Sequence, residues 1–416
     1  MNSPAIETAM DQAWKLLRTR LFCEKTNLVY DSLSSHAPAH RFDHMPYPEE
    51  VARHAPNPAG WGTGMEDSML NAGSVLEACI LRARFEPEHR TEALDFARRI
   101  ISGMEACATV HGTPGFVARS ICLRDGKSCY INSSRDQFTL FVYGLWRFFH
   151  SEFATAEERG RIARLLAEVA VYTERAVRPE NGNNLLRLDG RPALVSQMLE
   201  IEAHEAFRLP MFYLAAWDVT REPHWRELYC RYAPHALEET LAMDRRKSWW
   251  NLQLVQMQLS LALAEAVDDD PARLRQIREA MRITAALSER HFRPEEEKLL
   301  NFRGSWSATA LPWHEAWKMT LREDSLTPGK PALYFGLLYL KPWERQEFMD
   351  AFELMRAIGN LAVGVALCRE HRPEPGFFER FERAAAIPDY AHHTSGGVCN
   401  VLHGWYLLRA AAAGKS

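Results

Sequence analysis

Apolar residues recur along the chain mostly at helical spacing, and no series of alternating apolar and polar residues predicts a sheet. Two helix-start signals support this pattern, because Thr155 precedes Ala-Glu-Glu and Pro271 follows Asp270 at a first helical position. The chain is therefore predicted to be all-α. The predicted helices cover residues 4–22, 65–84, 87–109, 134–150, 155–178, 193–217, 222–243, 248–267, 270–292, 343–370 and 398–412.

The predicted helices alternate between two hydrophobic patterns. FTLFVYGLWRFF and LQLVQMQLSLALA are apolar on most sides, whereas a following helix such as PARLRQIREAMRITAALSER has one apolar stripe and one charged face. A helix that is apolar all round is enclosed by protein, and a helix with one stripe faces water. The alternation predicts a single (α/α)6 toroid over residues 1–416, with long loops at one end and the N-terminal helix closing the ring. An α-solenoid is the alternative, but no repeat of fixed period supports it.

Polar and aromatic residues gather just before and at the predicted starts of the inner helices. Since the inner helices of a toroid begin at one common end, these residues would line a single funnel. Aromatic rings stack on the C–H faces of sugars, and two carboxylates can divide the acid and base work of glycosidic cleavage. The candidates are Trp61, Glu66, Asp67, Arg119, Tyr130, Arg135, Asp136, Gln137, His204, Trp250, Asn251, Trp313, His314, Tyr390 and His393.

Simpler structural roles compete with these functional interpretations. Helix capping would explain Asp67 or Asp136 taken singly, and Arg135 would then pair with a carboxylate. Capping does not readily explain why Tyr130 and Gln137 lie in the same stretch, YINSSRDQF. Core packing or solvation at the surface is the alternative for His204, Trp250 and His393.

Composition and missing motifs narrow the function classes. The net charge is −4 with acids and bases mixed throughout, which argues against a nucleic-acid partner. No long uninterrupted apolar run predicts a membrane span, and the N-terminal sequence lacks a secretion signal, so a cytoplasmic location is expected. The eight cysteines form no CxxC pair and no GxGxxG or GxxxxGK[ST] motif occurs, so neither a metal nor a cofactor is expected. A homo-oligomer is possible, and the sequence leaves the oligomeric state open.

One of these stretches resembles a motif of a known enzyme group. Ser134-Arg135-Asp136-Gln137, at the start of an aromatic helix, is similar to the Ser-Arg-Gly-Gln motif of unsaturated glucuronyl hydrolases. These are (α/α)6 glycoside hydrolases, related to unsaturated rhamnogalacturonyl hydrolases and other enzymes directed at uronic acids. The resemblance implies that Arg135 helps to hold the sugar and that Asp67 corresponds in placement to the family's first aspartate. Asp136 departs from the motif, since it replaces the glycine.

The predicted function is a glycoside hydrolase that acts on a carbohydrate containing uronic acid. Asp136 and Asp67 are predicted to form the acid/base pair, with Glu66 as a substitute. Arg119 and Arg135 would bind the uronate carboxylate, because an arginine fork matches a carboxylate. The predicted stacking residues are Trp61, Trp250 and Trp313.

Three other functions remain open. A polysaccharide lyase of the same fold would need a Tyr or His base, and a sugar epimerase would use paired histidines. A helical protein that binds glycans without catalysis is the alternative from a different class. The candidate lyase bases are Tyr130, His204, His314, Tyr390 and His393.

Overall fold

A computed structural model of the chain describes residues 4–199, 206–243, 250–312, 314 and 347–414. This part of the chain is mostly helical, as the hydrophobic pattern predicts. No described helix combines the length and the apolar character needed to cross a membrane. The α-helices are α1 Pro4–Leu16, α2 Pro48–Ala52, α3 Ser68–Phe85, α4 Arg90–Thr109, α5 Arg135–Phe149, α6 Ala156–Ala176, α7 Arg208–Thr220, α8 Pro223–Leu241, α9 Asn251–Val267, α10 Pro271–Leu300, α11 Glu347–Ala366, α12 Phe377–Ala385 and α13 Gly397–Ala412.

Two short antiparallel strand pairs interrupt the helices. The strand β1 Phe22–Cys23 pairs with β2 Leu28–Val29, and β3 Asn184–Leu186 pairs with β4 Pro192–Gln197. The predicted helix over 193–217 is therefore wrong in its first part, and α7 begins only at Arg208. The backbone of β4 is hydrogen-bonded to other segments and not in a helical pattern. For example, the N–H of Leu194 donates to Oδ1 of Asn132 at 2.7 Å.

The helix α12 was not among the predicted elements. It has nine residues and follows a stretch that contains Pro373, Pro375 and Gly376. A segment this short shows too few turns for the helical period to stand out, and its flanking residues indicate a loop.

Six helices form a closed cycle of contacts within the described part. α3 packs against α5, α5 against α7, α7 against α9, α9 against α11, α11 against α13, and α13 returns to α3. Nearly every residue of α3 and of α13 is buried, in agreement with their apolar sequences. These six helices are called the inner helices below.

The other long helices pack on the outside of this cycle. α4 packs on α3, α6 on α5, α8 on α7, α10 on α9 and α12 on α11, while α1 contacts α13. The predicted start signals of two outer helices are confirmed. The hydroxyl of Thr155 accepts the N–H of Glu158 at 3.2 Å, and Asp270 accepts the N–H of Ala272 at 2.8 Å.

Glycines allow two pairs of inner helices to approach closely. A Cβ atom on Gly144 of α5 would lie 2.7 Å from the Cα of Gly73 on α3, and a Cβ on Gly73 would overlap the carbonyl of Leu140. At the seam between α11 and α13, a Cβ on Gly404 would lie 2.9 Å from the carbonyl oxygen of Gly359. Backbone therefore packs on backbone at both seams, and no side chain fits between them.

Replacing Gly73 with alanine is expected to lower the free energy of unfolding by about 1–3 kcal/mol, because the added methyl group overpacks this seam. The matched control is Gly160→Ala in α6, where nothing lies within 4 Å of the added Cβ. There the better helix propensity of alanine should raise stability by up to about 1 kcal/mol. Urea unfolding of both variants measures the difference, and equal effects would contradict the packing argument.

A buried charge cluster joins three inner helices. The carboxylate of Glu77 on α3 accepts Nε of Arg147 at 2.6 Å and the hydroxyl of Tyr143 at 3.3 Å, both from α5. It also lies 2.8 Å from Nε2 of His403 on α13. Glu77 is fully buried, yet the charge of Arg147 and the bond to His403 outweigh its desolvation and lower its pKa to about 2. The cluster is therefore held together by charges that have little access to water.

The segment after β2 is paired with the segment before α13, far along the chain. Ser32 and Ser395 form an antiparallel bridge, and the N–H of Gly396 donates to the carbonyl of Asp31 at 2.8 Å. The N–H of Leu33 donates to the carbonyl of Thr394 at 2.8 Å. This pairing holds Asp31 beside the start of α3.

Candidate active site

The start of α3 carries a cluster of three carboxylates. Asp31 accepts the backbone N–H of Glu66 at 2.7 Å and that of Asp67 at 3.1 Å, and it also accepts a side-chain N–H of Asn71 at 3.2 Å. Asp67 occupies the N-cap position of α3, but its side chain makes no capping bond. Capping therefore does not account for the Asp67 carboxylate.

Two donors from other segments hold Asp67. Nη2 of Arg119 lies 3.1 Å and Nε2 of Gln137 lies 3.0 Å from its Oδ1. Arg119 also donates from Nε to the carbonyl of Glu66 at 2.8 Å and from Nη1 to the hydroxyl of Ser134 at 3.0 Å. Each nitrogen of Arg119 thus has an acceptor, and the side chain joins the start of α3 to the start of α5.

Glu66 is a carboxyl of this cluster whose pKa lies near neutral pH. Burial and the adjacent charge of Asp67 raise the pKa of Glu66 to about 7, although the charges of Arg119 and Arg356 act in the opposite direction. Burial, then the charges of Asp67 and Glu66, also raises the pKa of Asp31 well above its usual range. Carboxyls this close resist ionising together, so the cluster retains protons that isolated carboxyls would lose.

Asp136, in the first turn of α5, has the opposite environment. Its Oδ1 lies 2.6 Å from Nη1 of Arg208, which is fully buried. Burial acts to raise the pKa of Asp136, but the charges of Arg208 and Arg135 outweigh it and keep that pKa below its usual range. The charge of Arg119 lowers the pKa of both Asp136 and Glu66. Two carboxyls with pKa values moved apart suit separate base and acid roles.

A cleft of about 910 Å³ opens beside this cluster, at the starts of α9 and α11. Trp250, which is 43% exposed, lies on its wall together with Asn251 and Arg356. Met349 lines both this cleft and a smaller cavity of about 40 Å³ that contains Glu66. The carboxylate cluster and the cleft are therefore neighbours along α11.

Three predicted substrate-binding residues lie in the protein interior. Tyr130 and Tyr390 are buried, and each hydroxyl donates to a backbone carbonyl, at 2.6 and 2.7 Å. His393 is buried as well, with Nε2 lying 2.6 Å from the hydroxyl of Ser395. Burial also lowers the pKa of His393 to about 4. These contacts correct the expectation that the three side chains face a substrate.

The remaining predicted residues are divided between the site and the surface. The guanidinium of Arg119 lies over the half-buried ring of Trp61, at 5.6 Å from its centre. Arg135 donates to the carbonyl of Gln197 at 3.2 Å. His314 is exposed, and its Nε2 lies 2.6 Å from Glu50. Predicted residues outside the described part of the chain are His204 and Trp313.

Sequence reasoning missed four residues of this region. Asp31 and His44 line the cavity that holds Glu66, and both come from a segment with no predicted helix. Arg208 is the first residue of α7. A search of the inner-helix starts would have found it if the predicted helix had begun at residue 208 instead of 193. Arg356 lies in the middle of the long apolar helix α11, where the sequence pattern alone suggests only core.

The described residues contain no group of three or more His, Cys, Asp and Glu side chains arranged to hold a metal ion. Comparisons of the chain with protein-family models, with curated proteins and with solved structures find no match. The function must therefore be inferred from the geometry of the site.

Proposed function

We propose that the protein is a glycoside hydrolase with an (α/α)6 toroid fold that acts on a glycan containing uronic acid. The main support is the carboxylate cluster of Asp31, Glu66 and Asp67, which Arg119 and Gln137 join to the start of α5, where Asp136 lies. A cleft with an exposed tryptophan opens beside this cluster. The closed cycle of inner helices, each with an outer neighbour, supports the toroid. The resemblance of Ser134–Gln137 to the motif of unsaturated glucuronyl hydrolases is a further reason for this proposal.

Glu66, predicted from the sequence only as a substitute in the acid/base pair of Asp136 and Asp67, is the general acid of the proposed reaction. Its protonated carboxyl donates to the glycosidic oxygen as the bond to the anomeric carbon breaks. Ionised Asp136 takes a proton from the water whose oxygen adds to that carbon. Asp67 is a positioning residue, because its charge keeps the proton on Glu66 and its carboxylate orients Arg119 and Gln137.

The positions of the candidate bases give less support to a lyase. Tyr130, Tyr390 and His393 are buried with their polar atoms bonded inside the protein. His314 pairs with Glu50 on an exposed surface. A lyase base must instead reach the carbon next to the uronate carboxylate of a bound sugar.

A product screen tests the proposal. The protein is incubated with oligosaccharides of galacturonate, glucuronate and mannuronate, while reducing ends and ultraviolet absorbance are both recorded. A hydrolase increases reducing ends without the absorbance of a conjugated double bond. A rise in both signals would identify a lyase, whereas epimerised sugars with intact linkages, seen by NMR, would identify an epimerase. Binding without any turnover would support the non-catalytic alternative.

The pH dependence of turnover should follow the protonation of Glu66. Because the acid must carry its proton, kcat/KM should fall about tenfold per pH unit above its pKa of about 7. Asp136 has a pKa below its usual range, so the acidic limb should lie well below neutral pH. In Asp67→Asn, the loss of the neighbouring negative charge should move the alkaline limb to lower pH. An alkaline limb that stays in place in this variant would contradict the assigned roles.

A further inference from the structure

Arg356 of α11 lies between two aromatic rings on the wall of the cleft. Its guanidinium carbon is 5.0 Å from the ring centre of Trp250 and 4.7 Å from that of Phe352. The side chain of Arg356 is only 8% exposed. Trp250, by contrast, is the most exposed aromatic residue on the described cleft wall. The two rings hold the guanidinium plane at the edge of the cleft.

The hydrogen-bonding capacity of Arg356 is only partly used. Nη2 donates to both carboxylate oxygens of Glu353, at 2.5 and 2.6 Å. Nε is buried and has no hydrogen-bond partner in the described structure. A guanidinium carries five N–H groups, and a buried donor that stays unpaired is costly unless a ligand or water supplies the acceptor.

Arg119, one of the two arginines expected from the sequence to bind a carboxylate, is more fully engaged within the protein. Its three nitrogens all donate, to the carbonyl of Glu66, the hydroxyl of Ser134 and the carboxylate of Asp67. Arg356 is also near the proposed acid, since its charge is one of those that lower the pKa of Glu66. Met349, two turns earlier on α11, lines both the cleft and the cavity of Glu66.

We propose that Arg356, held on the ring of Trp250, binds the carboxylate of a uronate residue of an acidic oligosaccharide lying in the 910 Å³ cleft. This rests on the proposed function and identifies the residue that selects an acidic substrate over a neutral one. The ring of Trp250 then stacks on the same sugar, while the guanidinium bonds the carboxylate through Nη1, the terminal nitrogen that Glu353 leaves open.

Binding measured without turnover tests this assignment. In the Glu66→Gln background, titration calorimetry is run with tetrasaccharides of galacturonate and mannuronate, with a hyaluronan tetrasaccharide, and with the methyl esters of each. Adding Arg356→Gln should weaken binding of the acids about 10- to 100-fold, the loss expected for a charged hydrogen-bonded pair. The methyl esters should bind both proteins equally. Arg278→Gln, an exposed site on the outer helix α10, is the control for general charge effects and should change binding less than twofold.

Each outcome decides the assignment. Equal losses for acids and esters, or no loss for acids, would overturn it, as would the absence of binding of every acid to the Glu66→Gln protein. If acids bind through Arg356 but the wild-type protein cleaves none of them, the proposed hydrolase fails and the binding assignment stands. If glycans are cleaved but Arg356→Gln binds acids normally, only the assignment fails. Should Arg356→Gln not fold, Arg356→Lys keeps the charge and much of the stem, and about tenfold weaker binding of acids alone is then expected.

Discussion

Replacing Glu66 with glutamine should lower kcat by about 10²- to 10⁴-fold on any uronic oligosaccharide that the protein cleaves. Glutamine keeps the size of the side chain and can still accept the N–H of Gly62, but it has no acidic proton to give to the leaving oxygen. Steady-state release of reducing ends measures the effect. The alkaline limb of the pH profile should also disappear, since it reports the ionisation of Glu66.

The matched control for this variant is Glu174→Gln. Glu174 lies on the outer helix α6 and pairs with Nε2 of His224 at 3.0 Å on the surface. Its replacement should leave kcat within about twofold of the wild-type value, because it lines neither the cleft nor the cavity of Glu66. A Glu66→Gln enzyme that matches wild-type turnover would rule out Glu66 as the acid and return attention to Asp67.

Replacing Glu77 with alanine should lower the free energy of unfolding by about 3–5 kcal/mol. The change leaves the charge of Arg147 without its carboxylate partner, and it also removes an acceptor from His403. Denaturant unfolding at neutral pH measures the loss. Glu152→Ala is the control, because it breaks another ion pair to an inner-helix arginine, Arg84, at 2.8 Å on the surface. An exposed pair of this kind contributes about 0–1 kcal/mol.

Two further measurements separate charge from packing at Glu77. The double variant Glu77→Met, Arg147→Met removes both charges, and it should recover much of the stability that Glu77→Ala loses. The pKa of Glu77 is about 2 in the folded protein, below its unfolded value, so its stabilisation is present above the unfolded pKa and is lost as pH falls toward 2. Glu77→Ala should therefore reduce the loss of folding stability that the wild-type protein shows as the pH falls toward 2. Equal losses in the single and double variants would contradict the charge argument.

The alternation of helices was predictable because burial acts on every residue of a long element. α3 and α13 are apolar on most sides in sequence and are buried on most sides in the structure. The strand β4 was not predictable in the same way, since Leu194 and Ser196 take their register from Asn132 and from β3. A six-residue apolar segment carries too little periodicity to distinguish a strand from a helix start.

The candidate site was only partly predictable, for a related reason. Glu66, Asp67 and Gln137 stand at helix starts, so the rule of searching there located them. Asp31 takes part through hydrogen bonds to residues 66 and 67, which lie far from it in sequence, and the stretch LVYDSLS gives no local sign of this. Arg356 is hidden by the apolar residues around it on α11.

The pairing of Asp31 with residues near the start of α13 has a consequence for protein synthesis. The ribosome makes Asp31 and Glu66 early, but the backbone bond from Gly396 that holds Asp31 forms only after that residue has left the exit tunnel. A nascent or truncated chain that ends before this point also lacks the helix that covers α3. Such a chain carries the proposed acid residue without the support that fixes it, so the proposed hydrolytic activity should appear only after Gly396 and α13 have been made.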